Sequence, residues 1–127
     1  MITICNIRQA NYRNYDEVWA IVRSLKKPDP HWRHVPELSP DWSLFKTMLY
    51  LNNNGSWNED SFKRIYTPQF LKQMKSASAM KKLTELRNLD LEGKNICLFC
   101  YCPNKNTCHR KLIYGLLKSM GCNCRII

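Results

Sequence analysis

The chain contains no apolar run near the ~20 residues needed to cross a bilayer. Its opening residues, Met1-Ile-Thr-Ile-Cys-Asn-Ile, show neither a basic region nor a small-residue cleavage site, which predicts a cytoplasmic protein without a signal peptide. Glycine is scarce, four in 127 residues, and none forms a phosphate-binding loop. No Ser/His/Asp order and no paired-carboxylate motif is present, so no hydrolase of those types is indicated. Acidic residues are few as well: ten Asp and Glu stand against twenty Lys and Arg, a formal charge of +10. That excess favours phosphate-bearing or polyanionic partners, although a basic surface with no ligand has the same composition. Internal repeats, low-complexity tracts and composition shifts are missing too, which predicts one domain over 1–127.

Cysteine, by contrast, is abundant. Seven cysteines without an export signal argue against a disulfide framework, because the cytosol keeps thiols reduced. Thiol chemistry, a metal or plain burial remain as readings. Apolar residues make up 44%, enough for a packed core without such staples.

Along the chain, Met1–Ile7 alternates as a strand with Ile2, Ile4 and Asn6 on one face. Residues 15–25 fit helix and strand spacing equally. Four prolines between Lys26 and Pro40 predict a mostly irregular loop, carrying Trp32 and two histidines. Ser39-Pro40 reads as a cap followed by proline at the first helical position, starting a helix through Trp42, Phe45, Met48 and Leu49 that ends at Asn52–Gly55. Further helices are expected over Asn58–Tyr66, from Thr67-Pro68 onward, and from near Ser78 with Met80, Leu83 and Leu86 inward. Gly93 precedes a buried strand over Asn95–Tyr101. Thr107 is placed to cap a last helix, Cys108–Ser119, closed by Gly121, and Cys122–Ile127 reads as a final strand.

The last third therefore reads strand, polar loop, helix. In an open parallel sheet, ligands bind beyond the carboxyl ends of strands, where helix N-termini present free N–H groups. Cys100, Cys102, Cys108, His109 and Arg110 converge on such a crevice. In one reading it is an anion site: the helix amides and Arg110 hold a phosphate or carboxylate, His109 supplies a proton or hydrogen bond, and Cys108 or Cys102 lines the pocket. Cys108 and His109 are then the candidate catalytic residues, with Trp42 and Tyr101 candidate stacking partners for a base. In a second, Cys100, Cys102, Cys108 and His109 bind zinc, the donors being soft and numerous enough. Against it stand the Cys100-x-Cys102 pair, a poorer chelate on an extended strand than Cys-x-x-Cys, and the divergence of adjacent Cys108 and His109 side chains on a helix, so no metal or other cofactor is assigned. In a third, the cysteines are small buried hydrophobes and Arg110 a surface charge. Glu37, Asp41 and Glu59 are candidate bases if their loops cover the crevice.

The segment Cys100-Tyr-Cys102-Pro103-Asn-Lys-Asn-Thr-Cys108-His109-Arg110 resembles the Cys-aromatic-Cys-Pro…Cys-His-Arg signature of the domain-of-unknown-function 488 family. Ser39-Pro40-Asp-Trp42 and Tyr66…Phe70-Leu71…Met74 resemble two further elements of that family. The first strand and Ile21-Val22-Arg23-Ser24 resemble its opening hairpin-like section, which favours strand over helix for residues 15–25. The chain departs from the family by continuing into Leu25 and a proline-rich loop, and in its tail Gly121-Cys-Asn-Cys124. The resemblance implies a small Rossmann-like α/β fold, a mostly parallel sheet with flanking helices, in a bacterial cell or a phage-infected host. It names no reaction. The expected function is binding of a nucleotide or other phosphorylated small molecule, with hydrolysis or transfer in view. A nucleic-acid binder or modifier, and a phage-encoded inhibitor or sponge of a signal nucleotide, are the alternatives. Membrane partners are not expected.

Overall fold

The computed structural model describes residues 1–127. Strands β1 (Ile2–Asn6), β2 (Glu17–Ala20), β3 (Trp32–His34), β4 (Ile96–Cys100) and β5 (Cys124–Ile126) form one sheet in the order β3-β2-β4-β1-β5. Every neighbouring pair is parallel, with Ile4 beside Leu98 and Trp19 beside Leu98 on its other flank. All five residues of β4 are buried, which is why the strand reads as an unbroken apolar run: a central strand of a parallel sheet is covered on both faces. The expected Rossmann-like α/β architecture is the one observed.

The two sheet faces are covered differently. The face bearing Ile4, Trp19, Leu98 and Cys100 carries the helices: Cys100 meets Cys108 at the head of the last helix, and Arg33 of β3 pairs with Glu85 of the long fourth helix. The opposite face, with Thr3, Cys5, Cys97 and Phe99, is covered mainly by connections. Trp32 packs edge-on to Phe99 with centroids 4.9 Å apart, and Tyr12 stacks on His31 at 3.7 Å, joining the two loops that follow β1 and β2.

The helices are α1 (Trp42–Asn53), α2 (Glu59–Ser61), α3 (Thr67–Gln73), α4 (Ala77–Leu91) and α5 (His109–Ser119). Several starts differ from expectation for identifiable reasons. Asp41 caps α1 by accepting from the Leu44 N–H at 2.8 Å; Ser39, expected there, instead turns its hydroxyl to the Pro36 carbonyl. Thr67-Pro68 starts nothing new. Residues Phe62–Tyr66 form a π-helical turn continuous with α2 and α3, in which the Thr67 N–H reaches back to the Phe62 carbonyl. That wider turn accommodates a proline ring that a regular helix would drive into the carbonyl four residues back. On α4, capped by Ser76, the buried stripe is Ala79, Leu83 and Leu86, whereas Met80 is exposed. The proline-rich loop is not wholly irregular, since β3 fits between Pro30 and Pro36, where neither ring interrupts its pairing with β2.

Finally, Cys108 and not Thr107 is the N-cap of α5, because Thr107 closes a 3-10 turn over Lys105–Thr107. Gly121, at φ +82°, terminates the helix, allowing the Cys122 N–H to reach the Leu117 carbonyl.

Candidate functional site

The chain leaves β2 toward the β3 edge and leaves β4, through α5, toward the β5 edge. Adjacent strands whose connections diverge open a crevice at their carboxyl ends. A cavity of about 350 Å³ lies there. Val22, Arg23 and Ser24 contribute from the exit of β2, Cys100, Tyr101 and Cys102 from the exit of β4, and Cys108 and His109 from the start of α5. Its outer wall is aromatic and apolar: Trp42, Phe45 and Met48 from α1, with Trp57 and Tyr66. Trp57 sets its ring edge-on to Tyr66, which stacks on Phe70, and Phe70 in turn packs against His109. No Asp or Glu lines the cavity. Asp41 caps α1 and Glu37 pairs with Lys82, and neither these two nor Glu59 approaches as a base.

The sulfur and imidazole groups sit on the floor. Cys108 is extended (φ −128°, ψ 148°) as N-cap, so its side chain does not follow the helical screw. Consequently its Sγ lies 3.3 Å from that of Cys100 and 3.5 Å from Nδ1 of the next residue, His109. The divergence expected of adjacent helical side chains does not occur.

The imidazole is oriented from outside the motif. His109 Nε2 lies 2.7 Å from the Ile21 carbonyl, and since a carbonyl can only accept, that nitrogen carries the proton and Nδ1 presents its lone pair to Cys108. Burial pushes the His109 pKa down to about 4, against the pull of the Ile21 hydrogen bond, and the nearby Arg110 adds to the lowering. The ring is neutral near pH 7 and is not the proton donor anticipated for an anion site.

The two sulfurs are joined by a hydrogen bond in which either can be the donor. The hydrogen bond from Cys108 holds Cys100 below the ordinary thiol value against desolvation, with Arg110 assisting; the same contact and burial push Cys108 up to about 12. Cys102, half-buried, is raised by its contact with Cys108 and by burial.

Arg110 is only 1% exposed and is not on the cavity wall. One guanidinium nitrogen donates to the Cys102 carbonyl at 2.8 Å, an acceptor also served by the Asn6 amide. Its Nε has no partner. Desolvation opposes its charge, but the thiols of Cys100, Cys108 and Cys102 facing it outweigh that and raise its pKa.

Thus Cys100, Cys108 and His109 converge, Cys102 lines the same cavity outside that cluster, Trp42 and Tyr101 stand on the wall, and Arg110 lies off the cavity wall, near the sulfurs. Trp32 packs into the opposite face of the sheet. Two cations at the cavity were not anticipated. Arg23 donates to the carbonyls of Pro36, Ser39 and Pro40, bracing the loop before α1, and Lys26 places Nζ 4.7 Å from the Tyr101 ring centroid. Arg23 falls inside the family-like segment Ile21–Ser24, the one signal that singles it out; Trp57, Tyr66 and Lys26 come from positions whose contact with the cavity depends on the fold.

No curated protein and no solved structure matches the chain. A family model described as the active DUF488-N3 subclade matches residues 2–121. With nearly the whole chain inside that match, including the Cys-His-Arg block at the start of α5, the protein belongs to the domain-of-unknown-function 488 family.

Proposed function

We propose that the protein binds a nucleotide, or another small ligand joining a planar ring to a phosphate, in the cavity between the ends of β2 and β4, with hydrolytic or transfer chemistry at its floor. The observation that carries this reading is the composition of the cavity: aromatic walls, no carboxylate, and a floor at the start of a helix. Its volume of about 350 Å³ falls within the ~300–1,000 Å³ typical of small-ligand sites. Trp42, Trp57, Tyr66 and Tyr101 offer faces on which a base stacks. Arg23 and Lys26, together with the amides opening α5, favour an anionic group, because helix N-termini carry partial positive charge. A net charge of +10 raises the encounter rate with such a ligand.

For chemistry, the floor provides Cys108 and His109 in contact, with the Ile21 carbonyl orienting the ring. That is the spatial order of a nucleophile, an imidazole facing it and an orienting group, in a setting whose Cys100 contact and burial keep the Cys108 thiol protonated in the free protein. Cys100 is added to the two residues picked out by sequence, since its sulfur is hydrogen-bonded to that of Cys108.

Calorimetry against a panel of mononucleotides tests the reading, with chromatography of the ligand afterwards. Saturable binding lost in Trp42→Ala supports it. Binding unaffected by Trp42→Ala and Tyr101→Ala, or binding only to oligonucleotides with a steep salt dependence, overturns it in favour of a nucleic-acid surface. A ligand recovered intact removes the chemistry and leaves a sequestering protein.

A further inference from the structure

We propose that Cys100, Cys102, Cys108 and His109 hold one soft divalent cation, zinc by the character of its donors, at the floor of the cavity. Three donor atoms are already assembled. The sulfurs of Cys100 and Cys108 and Nδ1 of His109 lie within 4.8 Å of one another, with edges of 3.3 and 3.5 Å. A tetrahedral zinc with metal–sulfur bonds of ~2.3 Å and metal–nitrogen bonds of ~2.0 Å has donor–donor edges of about 3.5–3.8 Å. Small adjustments therefore admit the ion. The fourth donor, Cys102, stands outside this cluster but lines the same cavity, and its sulfur is held only by a long contact to the Asn104 carbonyl, 3.6 Å away, so a small swing of that side chain completes the set.

Two independent features point to a bound cation. The Nε2–H of His109 is committed to the Ile21 carbonyl, leaving Nδ1 free to donate its lone pair; metal-ligating histidines are commonly fixed by such a hydrogen bond on the other nitrogen. Arg110 supplies the second. It is a buried guanidinium with no carboxylate partner and an unpaired Nε, and the groups facing it are these three thiols. A buried cation without counter-charge is strongly disfavoured. Three thiolates around a divalent ion carry one net negative charge, which Arg110 neutralises. Binding expels three thiol protons to solvent and oxidises nothing.

The Cys5–Cys97 pair serves as an internal control. Its sulfurs are 3.4 Å apart, yet no imidazole joins them and they do not line the cavity.

The proposal rests on the nucleotide reading for the ligand but replaces the thiol–imidazole chemistry given for the floor, since the Cys108 sulfur and Nδ1 of His109 are then ligands to an ion placed where the ligand's reacting end would stand. The reduced, chelator-dialysed full chain is titrated with Co²⁺, then with Zn²⁺. The expected result is one Co²⁺ per chain, with a thiolate-to-cobalt charge-transfer band and the strong visible bands of a tetrahedral site, bleached by one equivalent of Zn²⁺. Zinc should also protect three thiols of the unaltered protein from a disulfide reagent, which guards against a variant that merely fails to fold. Cys102→Ser, at a partly exposed loop position, should weaken the charge-transfer band, and Cys5→Ser should leave it unchanged. A folded chain with no charge-transfer band at saturating Co²⁺, or a band untouched by Cys102→Ser, overturns the proposal. Nucleotide calorimetry on metal-free and zinc-loaded protein separates the two readings: nucleotide binding without the cobalt band sinks the metal site alone, and the band without nucleotide binding sinks the cavity reading alone.

Discussion

Two pairs of cysteine sulfurs in this protein are almost equally close, Cys5–Cys97 at 3.4 Å and Cys100–Cys108 at 3.3 Å. In each, the mutual hydrogen bond separates the two thiols: Cys5 is lowered and Cys97 raised, as Cys100 is lowered and Cys108 raised. The first pair lies between neighbouring strands on the face covered by connections. The second lies at the carboxyl edge of the sheet, beside an imidazole, in front of a buried guanidinium and open to a cavity. Sulfur proximity alone is therefore a packing outcome. What distinguishes the second pair is the nitrogen donor, the uncompensated cation and access from solvent.

That contrast can be broken from its largest support downward. Phe70 is fully buried and packs against His109. Phe70→Ala should cost about 3–5 kcal/mol through the cavity it leaves, measured by urea denaturation, and should weaken Co²⁺ binding, whereas the environment of Cys5–Cys97 stays intact. Next, Cys108→Ser should abolish the cobalt band. Cys97→Ser should keep it and lower stability by about 1–3 kcal/mol, because a hydroxyl replaces a thiol in a fully buried position. A positioning role for Arg110 predicts that Arg110→Met leaves the ligand set complete but reduces metal affinity by about 10–100-fold, the usual effect of an outer-shell change, read by competition with a chromophoric chelator. Trp42 is 53% exposed at the cavity, so Trp42→Ala should weaken nucleotide binding by about 1–3 kcal/mol with little change in denaturation midpoint.

The smallest effect concerns a pair remote from both cysteine clusters. The Arg33 hydrogen bond holds the Glu85 carboxyl below its ordinary value of 4.5. The stability it confers is complete above that value and fades as pH falls through the lowered one. Exposed ion pairs contribute about 0–1 kcal/mol, so Glu85→Gln should flatten the acid limb of the stability profile only slightly and leave the cobalt titration unchanged.

The strand–loop–helix order of residues 95–121 was legible because its signals are local: a five-residue apolar run, a polar loop and an apolar stripe closed by Gly121. Starts of helices were less so. Ser39 and Asp41 both suit a cap, and the choice fell to Asp41 because the Ser39 hydroxyl was already engaged with Pro36. Thr67-Pro68 looked like a beginning because a proline inside a helix is normally excluded, and the π turn that admits it leaves no pattern in the residues themselves.

By itself, the sequence determined a basic, thiol-rich α/β chain and put Cys100, Cys102, Cys108, His109 and Arg110 within eleven residues, since periodicity, caps and charge act over a few positions. Tertiary structure alone decided that Arg110 faces inward, that the Ile21 carbonyl sets the His109 tautomer, and that Trp42, Trp57, Tyr66 and Lys26 meet at one cavity. Those outcomes depend on partners up to 88 residues apart. Burial and hydrogen-bond satisfaction are settled between such partners only once the sheet has closed.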